Sequence, residues 1–197
     1  MTIIERARGA HAGAFGALQR GTDGWLLGLA ARLLFAAVLF GYYWNSALTK
    51  IGDGVFGFLS LSPGAYIQIL GFPALDAAGG DPSALPFLSK LIVLAGTYAE
   101  FVLPVLVVLG LFGRLSALGM IGFIAVQSYV DVTQHAAEMG ALFDRFPDGI
   151  VDQRMMWVFP LVYLVLRGPG LVSVDALLGR TLDARAAAPP ARMQPAE

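Results

Sequence analysis

Four stretches of this sequence are apolar for nearly the length needed to cross a bilayer, and nothing else in it limits the fold as severely. A hydrocarbon core of about 30 Å takes about 20 apolar residues in a helix. A chain inside lipid must also satisfy its own backbone polar groups, which leaves helices or closed barrels. The candidate spans cover about 25–48, 91–112, 115–130 and 150–166. The first is wholly apolar from Leu33 to Phe40 and ends in Tyr42, Tyr43 and Trp44, residue types that sit at membrane–water boundaries. The second carries Glu100 and Pro104, and the third follows Arg114 directly. The fourth has Asp152, Gln153 and Arg154 in its first turns and stops at Arg167-Gly168-Pro169-Gly170, a strong helix terminator. The expected fold is an all-α membrane protein, a bundle of four transmembrane helices with an extended, partly helical first external loop.

Composition agrees with the spans and removes other classes. Of 197 residues, 57% are hydrophobic and 14% charged, against about 45–50% and about 25% in soluble domains. The net charge of −1 leaves no basic surface for nucleic acid. The absence of cysteine excludes iron–sulfur clusters, thiolate metal sites and thiol redox chemistry. With His11 and His135 on opposite sides of the membrane, bis-His haem ligation within one chain is also disfavoured.

Residues 1–24 lack the apolar core of a signal peptide. Their Ala/Phe/Leu/Arg mixture suits either a surface amphipathic helix or a tail without fixed structure. The Ala/Pro-rich C-terminal tail, 179–197, is expected to be disordered. Orientation follows from the positive charges. Arg6, Arg8, Arg20, Arg114, Arg167, Arg180, Arg185 and Arg192 fall on one side, and Lys50, Lys90 and Arg145 on the other. The positive-inside rule then places both termini in the cytoplasm. In the first external loop, Ser62-Pro63 marks a helix start and Gly71 an end. That short helix either lies on or dips into the outer membrane face, or packs as a cap over the bundle. The loop from Asp131 to Asp152 is acidic.

Four features resemble the DoxX family of small four-helix inner-membrane proteins. They are Arg32 on the first span followed by Gly41-Tyr-Tyr-Trp-Asn-Ser-Ala-Leu-Thr-Lys50; Glu100 through Leu109-Gly110-Leu111-Phe112-Gly113-Arg114; the apolar span directly after that arginine; and the ending Gly168-Pro169-Gly170-Leu171-Val172-Ser173-Val174-Asp175. The resemblance covers about residues 25–178. It implies a bacterial inner-membrane protein associated with an oxidoreductase, linked to quinone chemistry. The first external loop is longer than is usual in that family.

Ionisable groups inside a bilayer are costly and usually pair. Arg32 and Glu100 lie at similar depths on antiparallel spans and are expected to meet, as a quinone-binding, proton-responsive pair or as a clamp fixing two helices. Toward the outer face Asn45, Lys50, Gln127, Asp131, Asp152, Gln153 and Arg154 form a polar mouth, with Tyr42, Tyr43, Trp44, Tyr98 and Trp157 as aromatic walls or interfacial anchors. The candidate ligand-binding set is therefore Arg32, Glu100, Asn45, Lys50, Tyr98, Gln127 and Arg154. On a continuing helix Asp131, His135 and Glu138 would share one face, as an external metal site or simply a solvated loop. Gly110, Gly113, Gly119 and Gly122 suit close helix packing. Two functional readings stand side by side. One is a redox-associated subunit binding quinone or a partner oxidoreductase, with no intrinsic cofactor. The other is a non-catalytic adaptor or assembly factor that recruits a periplasmic partner, with metal handling as a minor variant. Either can work with a partner protein or as a homo-oligomer.

Overall fold

A computed structural model describes residues 2–139 and 150–186, with the side chains of 150–152 and 185–186 left aside. The described residues are helical apart from connecting turns and a single antiparallel bridge between Ile51 and Leu61. The helices are α1 (Ile3–Thr22), α2 (Leu26–Leu48), α3 (Pro63–Leu70), α4 (Phe72–Ala77), α5 (Phe87–Leu109), α6 (Gly113–Gln134), α7 (Ile150–Arg167) and α8 (Val174–Ala186). Three of them, α2, α5 and α6, are long and apolar enough to cross a membrane. The fourth expected span, α7, is 18 residues long, about 27 Å at 1.5 Å per residue. It carries Asp152, Arg154 and Arg167, so packing ties it to the others more clearly than composition does.

The core joins all four long helices. Phe35, Leu39 and Tyr43 of α2 meet Val107 of α5, Met120 and Ile124 of α6, and Leu161 and Leu164 of α7. The inward positions of α2 run Phe35, Leu39, Tyr43, Ala47. Steps of four overshoot an α-helical turn of 3.6 residues by about 40° each. A π-helical turn at Ala36–Phe40 takes up the excess. Tyr43 and Ala47, and then Lys50 just beyond the helix end, therefore stay on the core side.

The segment between α2 and α5 packs on the bundle as a cap. Pro63 opens α3 and Gly71, at φ +85°, closes it. Ala65 is fully buried, and Ile69 rests against Gly96 of α5. A Cβ at Gly71 would lie 2.6 Å from the Gln134 side chain, so only glycine lets the α3–α4 corner approach the end of α6.

At the opposite end, the motif residues lock to one another. The Arg32 guanidinium donates to the carbonyls of Val172 (2.7 Å) and Pro169 (3.4 Å). The Asp175 carboxylate accepts from the backbone N–H groups of Phe112 and Gly113, each at 2.7 Å. The Leu171 N–H donates to Gly24. Gly28 lies so close to the Gly168-Pro169-Gly170 turn that a Cβ there would come within 2.7 Å of the Pro169 carbonyl. The segments before α2 and after α7 thus leave from the same end of the molecule.

Of the two alternatives for the N-terminal segment, the helix is the one formed: α1 is started by a Thr2/Glu5 capping box. Helix α8 runs on to Ala186, past the expected tail boundary at 179, and the rest of the tail lies outside the described residues. Most of the acidic loop, 140–149, also lies outside them.

Candidate functional site

The site forms where α2, α3, α5 and α6 fail to close on one another. Small residues make the gap: Ala95, Gly96 and Ala99 on α5 face Gly119 and Gly122 on α6. The space left is a cavity of about 650 Å³, with predominantly apolar walls. Helix α3 closes its outer end through Gln68 and Ile69. The exposed Ile92, Ala95, Gly119, Gly122 and Val126 mark its open side, between α5 and α6.

One buried ion pair sits on this apolar wall. Lys50 Nζ lies 2.9 Å from Glu100 Oε2, and the two side chains are only 4% and 5% exposed. Lys50 also donates to Ser46 Oγ at 2.7 Å and to the Ser46 carbonyl at 3.2 Å. The ammonium's three protons thus have three acceptors. Pro104, one turn beyond Glu100, has no N–H to give the Glu100 carbonyl. Further along the wall, Gln127 accepts from the Tyr43 hydroxyl (3.2 Å) and donates to the Tyr42 hydroxyl (3.0 Å). At the rim, His135 Nε2 is 3.0 Å from the Gln68 carbonyl oxygen. The arrangement offers hydrogen-bond donors and acceptors at one end of an apolar slot.

The expected pairing of Arg32 with Glu100 does not occur. Arg32 is committed to the Gly168-Pro169-Gly170 turn at the far end of α2, and Lys50 takes the place by Glu100. The chain turns directly after Thr49, which brings the lysine back along the helix end toward α5. Four members of the expected polar set line the cavity: Lys50, Glu100, Gln127 and Asp131. Asn45 is exposed and does not line it. The Tyr98 hydroxyl donates to the Phe58 carbonyl and helps hold the cap. Arg154 lies on the other side of α6. It bonds Asp131 (2.6 Å) and Ser128 (2.9 Å), stacks over Trp157, and lines a separate groove of about 400 Å³ between α6 and α7. Sequence reasoning missed Ser46, Gln68 and Ile69. The four-residue spacing from Ser46 to Lys50 was the available signal for the first.

The expected metal face is not built. Helix α6 ends at Gln134, and Ala136 takes a left-handed φ of 51°. The N–H groups of His135 and Ala137 both return to the Asp131 carbonyl, which turns Glu138 away from the helical register. Asp131 is already paired with Arg154. Among the described residues no group of three His, Asp or Glu side chains is placed to hold a metal ion.

Comparison with protein-family models, curated proteins and solved structures gives no match.

Proposed function

We propose that this chain is a DoxX-like four-span subunit of the bacterial inner membrane, with both termini cytoplasmic, which takes a quinone into the α2–α3–α5–α6 cavity and works with a partner oxidoreductase. The observation that carries this reading is the buried Lys50–Glu100 pair on the wall of an otherwise apolar slot. A site with apolar walls and a few convergent polar groups suits a flat headgroup with an apolar tail. The open side between α5 and α6 faces where hydrocarbon would lie, so a tailed ligand can enter without crossing water.

In this reading the quinone oxygen replaces the Ser46 carbonyl, the most distant of the three acceptors at 3.2 Å, so that Lys50 donates to it while Glu100 and Ser46 Oγ hold the ammonium in place. Gln127, oriented by Tyr42 and Tyr43, offers a second polar contact. Reduction of the quinone consumes two electrons and two protons, and the electrons come from the partner, because the chain has no redox side chain other than its aromatic residues. The residues here bind, orient and supply or relay protons. Positive charges at the end where α1 and α8 lie support the cytoplasmic assignment of that end.

The test is quinone content after gentle solubilisation. Wild-type protein is expected to retain quinone in near-stoichiometric amount, and the double variant Lys50→Met/Glu100→Gln to lose it while still folding. Retention in the double variant overturns the site. A folded wild type that carries no quinone and saturates with none overturns the function. The adaptor reading draws on the exposed Val55, Phe56 and Leu59 at the tip of the cap. It predicts that a partner protein is captured through that tip whatever happens at Glu100.

A further inference from the structure

Helix α1 is a 20-residue helix in which no residue is buried. One face of it is nonetheless apolar. At 100° per residue, Ile4, Ala7, His11, Phe15 and Leu18 fall on a single stripe. Ile4, Phe15 and Leu18 are 72%, 58% and 60% exposed, and the His11 and Phe15 rings pack at 4.4 Å along the stripe. Arg6 and Arg20 lie on the other side, Arg8 at the boundary, and Glu5 is the helix's one acidic residue.

Two features fix where this helix belongs. The chain breaks between α1 and α2: Asp23 is extended, and Gly24 takes a φ of +77°. Helix α1 is therefore not an outward continuation of α2, and the break lets it leave at an angle. The break itself is anchored to the bundle end, since the Gly24 carbonyl accepts from Leu171. Trp25, the next residue, begins the apolar span and ties its indole N–H to the Gly21 carbonyl at 2.8 Å. An apolar stripe of about 21 Å, from Leu18 back to Ile4, thus starts near the level where the first membrane-crossing helix enters the bilayer.

We propose that α1 lies in the plane of the membrane, its Ile4–Phe15–Leu18 stripe in the acyl boundary and its arginines on anionic lipid headgroups. Three arginines against one glutamate favour an anionic over a neutral leaflet. The apolar stripe supplies the burial. This does not depend on the quinone reading.

The chain contains no cysteine, so single-cysteine spin labels can be walked through residues 3–22 of the full-length protein. The protein is reconstituted in phosphatidylcholine vesicles with and without phosphatidylglycerol. Collision with oxygen is expected to peak at positions 4, 11, 15 and 18, and collision with a water-soluble nickel chelate at 6, 13 and 20, the two out of phase with a 3.6-residue period. The oscillation is expected to weaken several-fold without phosphatidylglycerol, and likewise in the Arg6→Gln/Arg20→Gln variant. Uniform nickel accessibility along the helix overturns the proposal. So do immobilised labels shielded from both reagents, which would mean protein packing. An oscillation indifferent to phosphatidylglycerol overturns the headgroup contact.

Discussion

The Lys50–Glu100 pair is expensive, and that makes its two roles separable. Removing one partner of a buried pair leaves an uncompensated charge and costs about 3–5 kcal/mol, whereas replacing both with apolar or neutral groups of similar size is often near neutral. Glu100→Gln alone is therefore expected to lower the unfolding midpoint in detergent sharply, and Lys50→Met/Glu100→Gln to recover most of it. If the pair were only a clamp, the recovered double variant would behave as wild type in every ligand assay. A quinone site predicts that it stays empty. Glu100 was legible in the sequence as an intramembrane carboxylate in need of a partner. Its partner was not, because depth alone cannot choose between Arg32, inside the span, and Lys50, beyond its end. The choice rests on the turn after Thr49 and on the competing carbonyls of Pro169 and Val172, which occupy Arg32 from a position 137 to 140 residues away.

At the scale of elements, the two ends of the bundle do different work. The Gly168-Pro169-Gly170 turn, Arg32, Gly113, Asp175 and Gly110, whose carbonyl accepts from the Asp175 N–H, form a structural lock. Most of the motif residues behind the family resemblance therefore fasten helices at one end, while the cavity lies toward the other. Arg32→Met is expected to cost about 1.5–3 kcal/mol, the scale of a hydrogen bond to a charged group, with quinone affinity of the folded fraction unchanged. A change in affinity equal to that seen at Glu100 would contradict this division. Helix positions were readable from apolar run length to within a few residues, and the α3 start and stop from Pro63 and Gly71. The end of α6 was not readable. Asp131, His135 and Glu138 keep helical spacing in the sequence, but the left-handed turn at Ala136 breaks it, and alanine gives no warning of that conformation. The small residues of α5 and α6 promised tight packing. Leu103 against Gly119 fulfils it, while Gly122 faces open space. Gly122→Leu should therefore fit without a clash, gain up to about 1 kcal/mol of helix propensity, and exclude the ligand by filling the slot.

Taken whole, the molecule is a set of antiparallel long helices with a capped cavity toward one end and a lock at the other. If α7 crosses along with α2, α5 and α6, the three helices long and apolar enough to do so, the cap lies on the side opposite the α1 and α8 ends. A cysteine placed at Ser60 should react with a membrane-impermeant maleimide from the side opposite one placed at Thr181. Reaction of both from the same side would mean that α7 does not cross. The central claim is that a bilayer quinone occupies the cavity beside Lys50 and Glu100. It is tested most directly by photolabelling the membrane-embedded wild type with an azidoquinone and mapping the modified residues. The account predicts labels on Leu103, Phe123 and Val126, competed by unmodified quinone and absent in Gly122→Leu. Labels that resist competition, or that fall on the α6–α7 groove instead, would contradict it.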